Sequence, residues 1–332
     1  MSGSLTTFGI GSEVTYGTAV TVDKFFEITK EDIKGNYTRQ QASALSASYV
    51  DRSDRYGVAH KGASGSVDIE VLTKGFGNWL RFMLGSVATT GPTETSAYTH
   101  VGTVGSLYGD AFTCQVGRAT LDGTLKPWTY EGGKVTDFSF SNQVDQTLKC
   151  SIGMDFEAES SPDSPTGAYS LAANVPVTGA EVLAWQGGTI SIAGSTVDIS
   201  EISVKCDNSL NVDRFYINSA ASKKEPTQDG KRAITFSVKT PYADNNFWKK
   251  VSSATAAGAV GTISATWSGL ILLGTTVYPS LTIDIPVARF DEGGPSVDGP
   301  GMIDQTFSGV GLYDGTTSPL TVTYVSGDTT VL

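Results

Sequence analysis

Leu148-Lys149-Cys150-Ser151-Ile152-Gly153-Met154-Asp155-Phe156-Glu157 alternates without a break between apolar and polar residues. Leu148, Cys150, Ile152, Met154 and Phe156 fall on one face, and Lys149, Ser151, Gly153, Asp155 and Glu157 on the other. Successive side chains of a β-strand point to opposite faces, so the stretch reads as a strand with one buried and one wet face. The pattern recurs at Val67, Ile69 and Val71, set against Ser66, Asp68 and Glu70. It returns at Ile234, Phe236 and Val238, at Ile263, Ala265 and Trp267, and at Leu281, Ile283, Ile285 and Val287. Strands with one wet face belong to antiparallel sheets. Helical spacing is confined to Phe76 through Leu84, ended by Gly85, and to Asn246 through Val251. The expected fold class is all-β.

Composition agrees. The 332 residues exceed the usual size of one core and suggest two units. Only 17% are charged, and 38 are glycine, a mixture poor for helices and suited to strands joined by tight turns. The net charge of -11 argues against a surface that grips nucleic acid, which needs Lys and Arg to displace counterions. Cys114, Cys150 and Cys206 are odd in number and lack paired spacing, so they read as small buried residues of a reducing compartment. The opening MSGSLTTFGIGSE has neither a basic start nor an apolar core and predicts no signal peptide. The apolar run Gly269 to Gly274, continuing to Val277, is too short to span a bilayer, so no membrane insertion is expected.

A Pro/Ser-rich stretch from Glu159 to Asn174 marks a boundary. The expected organisation is an N-terminal arm over 1–24, a first β module over 25–158, a linker over 159–184 and a second β module over 185–332. Each half runs strand, long polar stretch, strand, short helix and closing strands, a repeat of pattern rather than of residues.

Catalytic chemistry finds little support. His60 and His100 sit in polar sequence away from any nucleophile elbow and read as surface residues. Gly293-Gly294-Pro295 and Gly299-Pro300-Gly301 follow no strand-to-helix step, so they are not phosphate cradles. Asp155 and Glu157 on one strand face could serve a β-sandwich glycosidase, with Trp128 and Tyr130 as a sugar platform. Wet-face charges alternating along a strand are the commoner explanation. No cofactor, metal or catalytic residue is expected. The rival readings are a surface or secreted β-sandwich protein of adhesin or surface-layer type, and then a carbohydrate-active enzyme.

The opening Gly9-Ile10-Gly11-Ser12-Glu13-Val14-Thr15-Tyr16-Gly17-Thr18-Ala19-Val20, leading into Phe25-Phe26-Glu27-Ile28, resembles the start of the major tail tube proteins of long-tailed (siphovirus-type) bacteriophages. Further matches follow in order at Tyr130 to Val135, Ile202 to Leu210, Gly230 to Val238, Leu281 to Val287 and Gly301 to Phe307. The resemblance implies two tandem tail-tube-type β-sandwich modules, each with one short flanking helix. It implies a virion tail protein assembled in the host cytoplasm as stacked homo-oligomeric rings. It also implies a tape measure protein and tail terminator or tip proteins as partners, and DNA passing without specific binding.

On that footing two modules per chain predict three chains per ring. Wet-face carboxylates become candidates for lining the channel: Glu27, Asp68, Glu70, Asp155, Glu157 and Asp284. Two polar segments, 39–62 and 213–232, each carry a net +2 on an otherwise acidic chain. They read as loops that dock on the next ring, with Arg39, Arg52, Arg55, Lys61, Lys223 and Lys224 as the contact candidates. The resemblance agrees at the first segment, where tail tube proteins carry a long loop.

Overall fold

A computed structural model of the chain describes residues 2–43, 49–94, 96–162, 169–217, 221–297 and 299–332. The first half contributes β1 (Thr7–Glu13), β2 (Lys24–Phe26), β3 (Ile28–Glu31), β4 (Lys34–Gln41), β5 (Tyr56–Glu70), β6 (Gly85–Thr90), β7 (Tyr98–Val104), β8 (Ala111–Ala119), β9 (Leu125–Gln143), β10 (Lys149–Phe156) and β11 (Ala158–Ser160). The second contributes β12 (Gly188–Ile192), β13 (Ser195–Thr196), β14 (Glu201–Asp207), β15 (Leu210–Asn211), β16 (Thr227–Gln228), β17 (Ala233–Pro241), β18 (Val260–Ser268), β19 (Ser280–Ser296), β20 (Asp304–Gly311) and β21 (Thr321–Ser326). A tight turn at Phe76–Trp79 runs into α1 (Leu80–Leu84), and α2 covers Asn246–Val251. Gly85 ends α1 with φ 92°, a left-handed conformation that glycine adopts without a Cβ penalty. The all-β expectation holds, with both helices where their spacing put them.

Two long strands organise the sheets, and all pairings among the described residues are antiparallel. The first half of β9 pairs with β8, which leads on to β1 and β2, and on its other side with β11. The second half of β9 pairs with β10, which leads on to β5 and then to β3 and β4. β19 does the same. Its first half pairs with β18, leading to β12 and β13, and on its other side with β21. Its second half pairs with β20, leading to β17 and then β14. Each long strand bulges at the changeover, β9 at Thr136 and β19 at Asp291. A bulge adds twist and re-aims a strand, which lets one strand serve two sheets.

β14 also pairs with the second half of β9, from Glu201 opposite Gln143 to Asp207 opposite Asp137. This joint fuses the two repeats into one continuous sheet. A second link crosses the halves, because β7 pairs with β21 and carries β6 with it. Residues 7–13, expected in an N-terminal arm, are a sheet strand whose Phe8 and Ile10 are buried.

The core fills the space between the sheets. Trp79 is fully buried among Phe8, Phe26 and Phe112. In the second repeat Phe236, Phe247, Phe290 and Phe307 form the matching cluster. All three cysteines are free and buried, as expected of small core residues. His100 is a correction. It lies inside β7, fully buried, and shares a 2.9 Å hydrogen bond with Thr89. The run Leu270, Ile271 and Leu272 is an exposed loop after β18, with the amides of Leu270 and Ile271 held by the Glu181 carboxylate at 2.9 Å. No helix among the described residues is long and apolar enough to cross a membrane.

Candidate functional site

The fused sheet has two unlike faces. One is covered by Val67, Ile69, Cys150, Ile152, Phe138, Phe140, Ile202, Val204, Phe236 and Phe307, all buried. The other follows the same registers one residue out of phase. Across it run Ser66 and Asp68 of β5, Ser151 and Gly153 of β10, Ser139 and Ser141 of β9, Ser203 and Lys205 of β14, Thr235 and Ser237 of β17, and Thr306 and Ser308 of β20. Hydroxyls dominate this face. Its charges include Asp68, Glu70, Asp137, Glu201, Asp207, Glu292 and Asp304, set against Lys149, Lys205 and Lys239. Lys205 pairs with Asp137 at 3.4 Å and Lys239 with Asp304 at 3.0 Å. These exposed pairs stabilise little, but they take up two of the three lysines of the face.

Of the carboxylates expected to line a channel, Asp68 and Glu70 lie on this face. Ser151 donates to Asp68 at 2.5 Å and Thr147 to Glu70 at 2.8 Å. Asp155 belongs to the same face by register but is buried, not wet. Lys223 reaches over it, Nζ 2.5 Å from Oδ1. Glu27 is exposed in the short link between β2 and β3, and Asp284 sits in the first half of β19, opposite Ser264 and Thr321. Glu157 lies past the end of β10, with its carboxylate over the turn at Gly17. The face does not gather these last three.

The basic segments also divide. β4 and the first part of β5 form a two-stranded arm that carries Arg39 opposite Val58 and Tyr37 opposite Lys61. Tyr37, Tyr56 and Val58 are about half exposed on it or more. Arg52 binds Asp54 through two 3.0 Å hydrogen bonds, and Arg55 lies 3.7 Å from the same carboxylate. Residues 44–48 of this segment and 218–220 of the other fall outside the described residues. The second segment is folded onto the chain's own body. Phe215 stacks on His60 at 4.1 Å, Lys61 N–H donates to Ala221 O at 2.9 Å, and Glu225 pairs with the buried Lys134 at 2.5 Å. Lys223 is therefore buried, while Lys224 beside it is exposed.

A buried acidic cluster lies at the same end. Glu13 accepts from Gly132 N–H at 2.9 Å, Thr113 Oγ1 at 2.8 Å and Gly17 N–H at 2.9 Å, yet burial still raises its carboxyl. Burial first, and then the charge of Glu131, push Glu157 up to about 7. The cluster lacks the layout of a glycosidase pair, since Lys223 occupies Asp155. Trp128 and Tyr130 form no open sugar platform either. Tyr130 is buried with its hydroxyl on Ile33 O, and the Arg118 guanidinium lies 5.3 Å from the Trp128 ring.

The hydroxyl alternation at 139, 141, 203 and 237 was visible in the sequence but carries no charge, so a search for carboxylates passes over it. Compared with known proteins, the chain matches the family model described as phage tail tube protein over residues 3–311. No curated protein matches it. A match of that extent, on an all-β fold with a continuous polar sheet face, means that the chain belongs to the phage tail tube protein family, a structural component of the virion tail.

Proposed function

We propose that three copies of this chain close into a ring, that rings stack into the tube, and that the hydroxyl-rich face lines a channel for DNA. The β9–β14 pairing carries this reading. It joins two half-sheets of the same internal order, so β9 gives β14 the edge that its counterpart β19 leaves open at Asp291–Ser296 among the described residues. The other end of the sheet is the outer edge of β3 and β4. Running β19 of one copy into β3 and β4 of the next repeats the same joint. An exposed strand edge is a template for such pairing. The strand β10 offers no such edge, since it is interior, between β5 and β9.

Each chain then supplies two modules, over 25–158 and 185–332, joined by the linker at 159–184. Carboxylates outnumber lysines on the polar face, so a passing duplex finds repulsion and few cations to hold its phosphates. The β4–β5 arm, with Arg39, Arg52 and Arg55, reaches the adjacent ring. A tape measure protein inside and terminator or tip proteins at the ends complete the assembly in the host cytoplasm. The family's structural role implies that the chain is not an enzyme. Native mass spectrometry and cryo-electron microscopy of assembled rings test the reading. Three chains per ring are expected, and six would overturn it.

A further inference from the structure

Within the chain, α1 is covered by residues of the second repeat. Asn208, fully buried, donates its side-chain amide to Met83 O at 3.2 Å and to Val135 O at 2.9 Å. Arg232 donates to Leu84 O at 2.8 Å and Gly105 O at 2.7 Å. Tyr324 packs edge-on against Phe76, and Leu332 N–H reaches the Asn78 side chain at 3.1 Å. The last carbonyls of a helix have no partner within it, and here the neighbouring repeat supplies the donors. Apart from Arg81, every residue from Phe76 to Leu84 is buried.

α2 is the counterpart helix, following β17 as α1 follows β5. It has no buried residue, and Trp248 is 45% exposed where Trp79 is 0%. It stands beside the open edge of β19, because a Cβ on Gly294 would lie 3.6 Å from the Trp248 ring. A strand added to that edge must meet α2.

The registers identify what it would meet. Counting from the matched bulges, Asp155 opposite Ser64 corresponds to Val310 opposite Thr235. Three residues back along each strand, Lys61 falls at the place of Arg232. Tyr37, which opposes Lys61, falls at the place of Asn208. Both side chains are exposed, and both are hydrogen-bond donors.

We infer that the exposed face of α2 is the seat of a neighbouring copy of this chain, whose Lys61 donates to the C-terminal carbonyls of α2 as Arg232 does to those of α1. This rests on the ring reading and deepens it. It moves Lys61 from a contact between rings to a contact within one. A cation at a helix C-terminus is favourable on electrostatic grounds as well.

The test uses the full chain with Lys61→Cys and Ser252→Cys together, the native cysteines being buried. Ser252 is the exposed residue that ends α2. Assembled protein is oxidised mildly and run on a non-reducing gel. Dimers and trimers are expected, in a ladder that stops at three chains, with each single variant remaining monomeric. A ladder that continues past three would overturn the seat. So would normal tubes from the double variant with no cross-link, although the ring reading would stand. Six chains in wild-type rings by native mass spectrometry would overturn the ring reading itself, and this inference with it. Trp248→Lys gives a second readout, placing a charge on the covered face. The subunit should keep its circular dichroism while the concentration needed for ring formation rises by about tenfold or more. An unchanged threshold would count against the seat.

Discussion

Lys223 Nζ lies 2.5 Å from Asp155 Oδ1, and both side chains are nearly closed to water although 68 positions separate them in the chain. A buried pair of this kind is costly to break from one side, because the remaining charge keeps its desolvation penalty and loses its partner. Lys223→Met should therefore destabilise the subunit by about 3 kcal/mol in urea unfolding. Adding Asp155→Asn should restore part of the loss. A single variant within about 0.5 kcal/mol of wild type would show that the pair is dispensable.

The acidic cluster predicts an unusual pH response. Glu157 is held up to about 7, above its ordinary value, by burial and by neighbouring carboxylates. The folded state thus binds this proton more tightly than the unfolded chain does. Stability should rise as the pH falls from about 8 to about 5, opposite to the usual trend for a paired carboxylate. Discounted for a half-exposed site, the gain is about 1 kcal/mol. Glu157→Gln should flatten that part of the profile in thermal melts at fixed ionic strength, and a slope unchanged by the variant would refute the assignment.

The two tryptophans at matching helices should differ sharply in the unassembled subunit. Trp79→Ala removes a fully buried ring and should cost about 3–5 kcal/mol. Trp248→Ala removes a ring that is 45% exposed and should cost less than about 1 kcal/mol. Equal losses in chemical denaturation would mean that α2 is packed more firmly than its exposure indicates.

For the β4–β5 arm, reversing Arg39, Arg52 and Arg55 together to Glu should leave the subunit folded and impair its polymerisation into tubes. Lys223 is left out of this set because it is buried. Contacts among exposed charges weaken with salt, so wild-type assembly should decline from low to moderate ionic strength and the variant should lose that dependence. Negative-stain microscopy across a salt series decides. Normal tubes from the triple variant would exclude these arginines from ring contacts.

Strands were legible in this sequence because period two survives wherever one face is buried. β5, β10, β17, β18 and β19 all coincide with the alternating runs, and α1 and α2 fall within the two stretches of helical spacing. Alternation cannot tell which strands become neighbours, so the β9–β14 joint and the β7–β21 pairing were invisible. Nor can it tell whether a wet face stays wet. Asp155 alternates correctly and is buried only because a segment from the second repeat closes over it. His100 shows the same limit, since its polar neighbours Thr99 and Thr103 point away on a strand that buries it.

The pinning of Phe215, Lys223 and Glu225 has a geometric consequence for the proposed tube. The body of a three-chain ring would repeat every 60°, but its two matched segments differ: the β4–β5 arm, held at its base through His60 and Lys61, keeps an exposed outer end at 39–41 and 56–58, whereas Phe215, Lys223 and Glu225 lie against the body, so the arms would repeat every 120°. A ring turned by 60° against its neighbour would present each arm with the other kind of module. The body alone would tolerate that rotation and the arms would not. Rotational phase would then pass from ring to ring along the whole tube, written by three arms rather than averaged over six.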